Sequence, residues 1–429
     1  MKKAIALLIV VVMAATLVAC NGGSTSDSSG TSTSPGTSDS PGTSPSTETS
    51  STPATSGTSG NETSGGNESQ GNEPQVAAGQ NFSDAANILG FFADGVDPHS
   101  RDTLDIVYSY MLPLPMMLAV GSAIRELQSV FNFNMIEYNA NNDLDAFIQN
   151  IQLYADQGVH GFVTIIEPTA THRVMEIFDA TGLPYVSLLN VVRDDQGHNL
   201  VPVVGMDDIK IGNDLISWLF DNYKDYWGDV SFDNAGLIPI TFSLNIGLNN
   251  RAVGCIQEWN RRLPGNNNIF EADGVTGGLN EETAYDIVSA IIAAHQEIDR
   301  WFITGPLEAY ALGAVRATEH LGVEDRTLIA SFGSDALVAY WDTGYDGNWV
   351  ACVPIAPYMY AIPMLAATIS MHNGTSDRDS LWSKFRASGD VNTMFQVPYE
   401  VVSQKTYKDF MEKYSLEAWR DEIVNALSR

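Results

Sequence analysis

Between Leu104 and Val353, short apolar runs of strand length alternate with longer amphipathic stretches, and that alternation restricts the chain to a parallel α/β architecture. Leu104 to Tyr110 reads as a buried strand, followed by a Met-rich apolar helix ending near Val130. Phe133 to Tyr138 is the next strand and Asn139 to Asn142 a turn. Asp143 then opens a helix whose Leu144, Phe147, Ile148, Ile151 and Tyr154 share one face, closed by Gly158. Phe162 to Ile166, a helix from Thr171 to Ala180 and a strand from Tyr185 to Leu189 continue the series. Uninterrupted apolar strands, each followed by a helix, belong to a sheet covered on both faces and joined by right-handed crossovers.

The alternation restarts after Gly205. A helix near Gly212 to Tyr223 precedes a strand from Ala235 to Thr241, a helix from Asn249 to Arg261 and a strand from Ile269 to Glu271. Next come a helix from Glu281 to Gln296, with Ala284, Ile287, Val288, Ile291 and Ile292 inward, a strand from Trp301 to Thr304 and a helix from Glu308 to Leu321. Strands at Leu328 to Phe332 and Trp349 to Val353 complete it. So many strands over roughly 350 residues predict two Rossmann-like, doubly wound parallel-sheet lobes rather than one. Ligands of such sheets bind beyond the carboxyl ends of the strands, which places the site in a cleft between the lobes.

The first hundred residues are of a different kind. Lys2 and Lys3 precede an uncharged apolar run from Ala4 to Ala19, a signal peptide over residues 1–19 that is short for a membrane span. Leu17-Val18-Ala19-Cys20 resembles the bacterial lipobox, which implies that Cys20 is lipidated and holds the protein on the extracytoplasmic face of the cell membrane. Residues 20–80 are then a tether rich in Ser, Thr, Gly and Pro, with too little apolar surface to offset the entropy of ordering. At roughly 5–6 Å × √n, about 60 such residues would hold the folded part about 40 Å from the anchor.

Composition and motifs exclude several functions. The 429 residues carry a formal net charge of −30, against an electrostatic grip on nucleic acid or on anionic lipid. Three cysteines are too few for a disulfide scaffold, and Cys255 and Cys352, set in apolar surroundings, read as core residues. There is no G-x-G-x-x-G, no G-x-x-x-x-G-K-[ST], no G-x-S-x-G and no H-E-x-x-H, and the seven histidines show no metal-ligand spacing. The reading is a binding protein without cofactor or metal, not an enzyme.

A series of short signposts resembles the type I periplasmic binding proteins of ABC importers, most closely their galactose/glucose- and ribose-binding sugar branch. They are Asn142-Asp143, Gly158-Val159-His160-Gly161-Phe162, Glu167-Pro168, Leu183-Pro184-Tyr185-Val186, Val204-Gly205-Met206-Asp207, Arg251-Ala252-Val253-Gly254, Ala311-Leu312-Gly313-Ala314, Phe332-Gly333-Ser334-Asp335-Ala336-Leu337 and Val397-Pro398-Tyr399. The resemblance implies three crossings between lobes, near Gly205, Val353 and Val397. The N-terminal lobe then comprises 101–205 plus 354–396, and the C-terminal lobe 206–353 plus 397–429.

It also implies ligand-binding residues. Arg251 matches an arginine that holds hydroxyl or ring oxygens with its planar fork, and Asp335 an aspartate that accepts paired hydroxyl bonds; an N-cap role competes for Asp335. Asn190 matches a ligand-binding asparagine, and Asn245 a polar loop position. The chain departs from the family where a polar residue and a stacking aromatic usually follow the first strand: here Tyr110-Met111-Leu112-Pro113 stands. Leu279 falls at the second stacking position, Cys352 at a usual Asn or Gln, and Leu307 or a neighbour at another Asn. Tyr110, Trp341 and Trp349 are candidates for a relocated stacking surface, with a core role as the alternative. The implied function is capture of a small polar solute, a sugar, by a monomeric protein that delivers it to an ABC permease; the alternative is a sensory protein reporting ligand to a membrane receptor or kinase. Alanine at Arg251 or Asp335 is expected to cost affinity and to leave folding intact.

Overall fold

The computed structural model describes residues 98–166, 170–193, 199–382 and 394–418. The signal peptide, Cys20, the tether and the Glu167-Pro168 signpost lie outside the described residues.

Along the chain the first series of elements is β1 (Leu104–Tyr110), α1 (Pro115–Glu126), α2 (Gln128–Phe131), β2 (Phe133–Asn139), α3 (Leu144–Asp156), β3 (Gly161–Thr164), α4 (Thr171–Thr181), β4 (Tyr185–Leu188) and β5 (Val203–Gly205). The second is α5 (Asp208–Asn222), α6 (Lys224–Trp227), β6 (Ala235–Thr241), α7 (Ile246–Arg262), β7 (Ala272–Asp273), α8 (Glu281–Ala294), β8 (Arg300–Gly305), α9 (Glu308–Leu321), β9 (Thr327–Phe332), α10 (Asp335–Asp342) and β10 (Trp349–Val353). Last come α11 (Pro357–His372), β11 (Met394–Gln396) and α12 (Tyr407–Lys413).

The strands form two sheets, ordered β11-β5-β4-β3-β1-β2 and β10-β9-β8-β6-β7. Neighbouring strands pair in parallel throughout, as the doubly buried apolar runs require. Tyr110 lies opposite Asn139 of β2, and Ser109 opposite Thr164 of β3. In each sheet the winding direction reverses beside the first strand, between β1 and β3 and between β6 and β8. These are the switch points beyond which a crevice opens.

The chain passes between sheets after Gly205 and again after Val353, where α11 returns to pack on α1, β3 and β4. It passes a third time after β11, and Val402 pairs antiparallel with Cys352 of β10.

Local chemistry sets the helix starts. Asp143, Asp207 and Asn280 accept hydrogen bonds from the backbone N–H of Ala146, Lys210 and Thr283, satisfying donors that the first turns of α3, α5 and α8 leave open. Asn245 does the same for Leu248, and α7 therefore begins at Ile246, ahead of the Asn249 start that periodicity gives. The strand expected at Ile269 to Glu271 is shifted: Ile269 only bridges Leu237, and β7 forms at Ala272–Asp273. α11 has no polar face, because it is sandwiched on nearly every side.

Cys255 and Cys352 are free thiols in the core, as their apolar settings predict. Burial pushes the Cys255 thiol up to about 12, far from the range of a reactive thiolate.

Candidate functional site

The carboxyl ends of the two sheets meet. Asn190, two residues beyond β4 in the first sheet, is buried, and its Nδ2 donates to the carbonyl of Ile166, just past β3 (3.0 Å). Its Oδ1 accepts from Nδ2 of Asn245, which follows β6 of the second sheet (3.3 Å). Leu189 reaches this geometry with φ +63°, a left-handed conformation that costs a branched residue free energy and recurs at ligand sites.

Arg251 lies in the second lobe on α7. Its Nε donates to Asp208 Oδ1 at 2.8 Å and its Nη1 to the carbonyl of Pro306 at 2.6 Å, just past β8. The guanidinium lies 3.7 Å from the centroid of the Phe332 ring, at the end of β9. Two glycines make this possible. A Cβ at Gly212 would lie 2.0 Å from the Arg251 carbonyl oxygen, and one at Gly254 equally close to the carbonyl oxygen of Ile209, so α5 and α7 cross backbone against backbone. That crossing brings Asp208, the first residue of α5, within reach of Arg251. The ion pair is shielded, with the Arg251 side chain 6% and the Asp208 side chain 18% exposed. An arginine so held contributes to the fold, so alanine at Arg251 is expected to cost stability, and the expectation of intact folding is kept for Asp335 alone.

Asp335 opens α10, beyond the end of β9. Its carboxylate is solvent-exposed and makes no hydrogen bond to the described residues, while the surrounding protein removes enough hydration to push its pKa up from the ordinary value. The N-cap residue of α10 is Ser334, which makes no side-chain cap bond. That cap comes instead from Glu308, which sequence reasoning missed: its Oε1 accepts from the backbone N–H of Ala336 at 2.6 Å and of Leu337 at 3.3 Å. Burial is the main reason the Glu308 carboxyl is pushed up to about 7, the two amide bonds oppose it, and the nearby Asp335 charge adds to it. The signal was one position past Leu307, an acid in the first turn of a helix that follows a strand end.

The structure thus brings Asn190 and Asn245 together across the lobes, with Arg251 and Asp335 set around the end of β9 in the second lobe. Tyr110 is not among them. The residue is 3% exposed, its ring packs on Tyr108, and its hydroxyl donates to Glu137 Oε1 at 2.8 Å, a carboxylate that also holds Arg125. Burial pushes that phenol up to about 12. Trp349 is fully buried with Nε1 donating to Ser331 Oγ, and Trp341 packs on Tyr407, so both serve the core. Cys352 is sealed within β10, while Leu279 and Leu307 stay partly exposed at the loops after β7 and β8. At these family positions the chain supplies apolar surface in place of amides and an aromatic ring.

A family model described as the periplasmic binding protein domain matches residues 115–374. The chain belongs to that family. No curated protein matches it by sequence. Among solved structures it resembles a periplasmic solute-binding protein of an ABC transporter from Actinobacillus succinogenes 130z with bound D-allose, at TM-score 0.57 and 14% identity over 72% of this chain and 100% of that one. The arabinose-transporter binding protein of Shewanella sp. ANA-3, bound to L-arabinofuranose, gives TM-score 0.57 and 17% identity over 74% and 98%. A solute-binding protein from Bacillus halodurans C-125 with bound myo-inositol gives 0.56 and 16% over 73% and 99%. The two lobes of this binding protein are therefore those of the type I fold, with Asn190, Asn245 and Asp335 just past the carboxyl ends of strands and Arg251 on α7 against Phe332, the last residue of β9.

Proposed function

We propose that this chain is the extracytoplasmic substrate-binding protein of an ABC importer, anchored through lipid on Cys20, and that it captures a small polyhydroxylated solute between its lobes for delivery to the permease. The observation that supports this reading is the bond between Asn190 of the first lobe and Asn245 of the second, with Arg251 and the open Asp335 carboxylate near Phe332 at the end of β9 in the second lobe. Amides, a guanidinium and a carboxylate supply the mixed donors and acceptors that a belt of hydroxyls needs. Relatives of the same fold are solved with D-allose, L-arabinofuranose and myo-inositol, which are polyols of this kind.

Mechanistically, solute contacts from both lobes favour the closed member of a hinge equilibrium, and the permease reads that closed form. No cofactor enters and no bond of the solute changes.

A thermal-shift screen with D-allose, L-arabinose, D-galactose, D-ribose and myo-inositol tests the reading. A ligand at about 100 times its Kd adds roughly 2.7 kcal/mol of stability. Mass analysis of the recovered solute should return it unaltered, and a chemically changed solute would move an enzyme to the front. Cys20→Ser should release the protein from the membrane fraction, and unchanged retention would remove the lipid anchor from the proposal.

A further inference from the structure

We infer that Glu308 is a positioning residue for solute recognition: its carboxylate, reaching from the first turn of α9, is the N-terminal cap of α10 and fixes the turn that carries Asp335. The inference rests on the solute-binding reading only for its functional consequence.

α10 begins at Asp335 without help from its own N-cap residue, since Ser334 makes no side-chain cap bond. A helix start in that state leaves backbone donors open, and a buried one must find acceptors elsewhere. Glu308 provides them from another element, with Oε1 shared between the amides of Ala336 and Leu337. The intervening turn is packed against the same side chain. Gly333 adopts φ +95°, and a Cβ there would meet the Cβ of Glu308 at 3.1 Å, so the β9–α10 turn rests directly on Glu308 with almost no slack. Asp335 sits between that packed turn and the two capped amides, and its own carboxylate has no hydrogen bond to described residues that would hold it. The placement of Asp335 thus depends on a residue contributed by the neighbouring strand–helix unit.

Three variants test this. Amide hydrogen exchange of the unliganded protein is compared for wild type, Glu308→Ala and Glu308→Gln. Alanine removes the acceptor, and protection of Ala336 and Leu337 should fall on the order of tenfold while β1 amides stay unchanged. Glutamine keeps an acceptor oxygen at the same reach and should restore most of that protection. Should the alanine variant fail to fold, Glu308→Asp, one methylene short of the amides, carries the same expectation. Unchanged protection at Ala336 and Leu337 in the alanine or aspartate variant would overturn the inference, as would an equal loss throughout the chain.

The second arm is calorimetry with L-arabinose and D-allose. Whichever sugar binds wild type should bind Glu308→Ala about tenfold more weakly and Glu308→Gln nearly as well; equal affinity in all three overturns the functional role. If neither sugar binds wild type, the sugar reading is at fault, and the exchange data still decide for or against Glu308 as the cap.

Discussion

Nδ2 of Asn245 donates to Oδ1 of Asn190 at 3.3 Å, so two residues that follow strands of different sheets are joined directly across the lobes. Each is fixed by a second bond within its own lobe, Asn190 to the carbonyl of Ile166 and Asn245 to the amide of Leu248. The contact therefore links two preorganised ends.

Asn245→Asp isolates this link. Aspartate caps a helix as well as asparagine does, but it has no N–H to give Asn190 and sets an anionic oxygen against an acceptor. A neutral hydrogen bond contributes about 0.5–1.5 kcal/mol, so the closed population should fall roughly twofold to tenfold while the melting temperature stays near that of wild type. Small-angle scattering on the unliganded protein should report a larger radius of gyration. An unchanged radius would show that the bond does not bias closure.

Arg251→Ala should now cost stability as well as affinity. Breaking a shielded ion pair from one side costs about 3–5 kcal/mol, because Asp208 is left charged and unpaired. Denaturant unfolding of Arg251→Ala, of Asp335→Ala and of Arg251→Met combined with Asp208→Asn separates the roles. The exposed Asp335 should change stability within about 0.5 kcal/mol, and the double variant should recover much of the loss of the single one. If Arg251→Ala is as stable as wild type, the Asp208 pair contributes little to the fold.

Most of the architecture was legible because parallel strands are buried on both faces and announce themselves as apolar runs. β1, β6, α9 and β10 fall at the residues that sequence patterning gives. α11 was not legible for the converse reason: covered on nearly every side, it carries no 3.6-residue stripe to detect. The site was legible only in part. Asn190, Asn245, Arg251 and Asp335 were named through the family resemblance, and three of them do follow strand ends while Arg251 lies on α7, whereas the role of Glu308 depends on a neighbouring turn that local sequence does not encode. Tyr110 misled because an aromatic at a strand end looks like a stacking surface, and only tertiary packing turns its ring inward.

Gly212→Ala should damage the site from a distance. The added methyl has no room at 2.0 Å from the Arg251 carbonyl oxygen, so α5 and α7 must separate. Overpacking of this kind costs about 1–3 kcal/mol, and it shifts Arg251 relative to Asp208 and Pro306. Both the melting temperature and the solute affinity should fall, whereas alanine at Gly347, in the loop before β10, should lower only the former. Retained affinity in Gly212→Ala would mean that the fork tolerates helix displacement.

The pH dependence of stability should carry the signature of Glu308. Its folded-state pKa of about 7 lies above the ordinary carboxyl value of 4.5, chiefly because burial penalises the charged form. The folded state therefore holds a proton over a range in which the unfolded state has released it. Protonation linked to folding contributes fully below the unfolded value and is lost as pH rises through about 7. Charged and titratable neighbours frame the group: Asp335 and Tyr340 on α10, Cys352 on β10, and Arg251 bonded to Pro306 two residues upstream. Glu308→Gln removes this titration while keeping an acceptor for Ala336. The variant should thus gain stability over wild type at pH 8 and lose that advantage by pH 5, as read from melting temperatures in buffers of matched ionic strength. A constant offset between the two proteins across that range would show that Glu308 keeps the same charge in the folded and unfolded states, and that the α10 cap is made by an ordinary carboxylate.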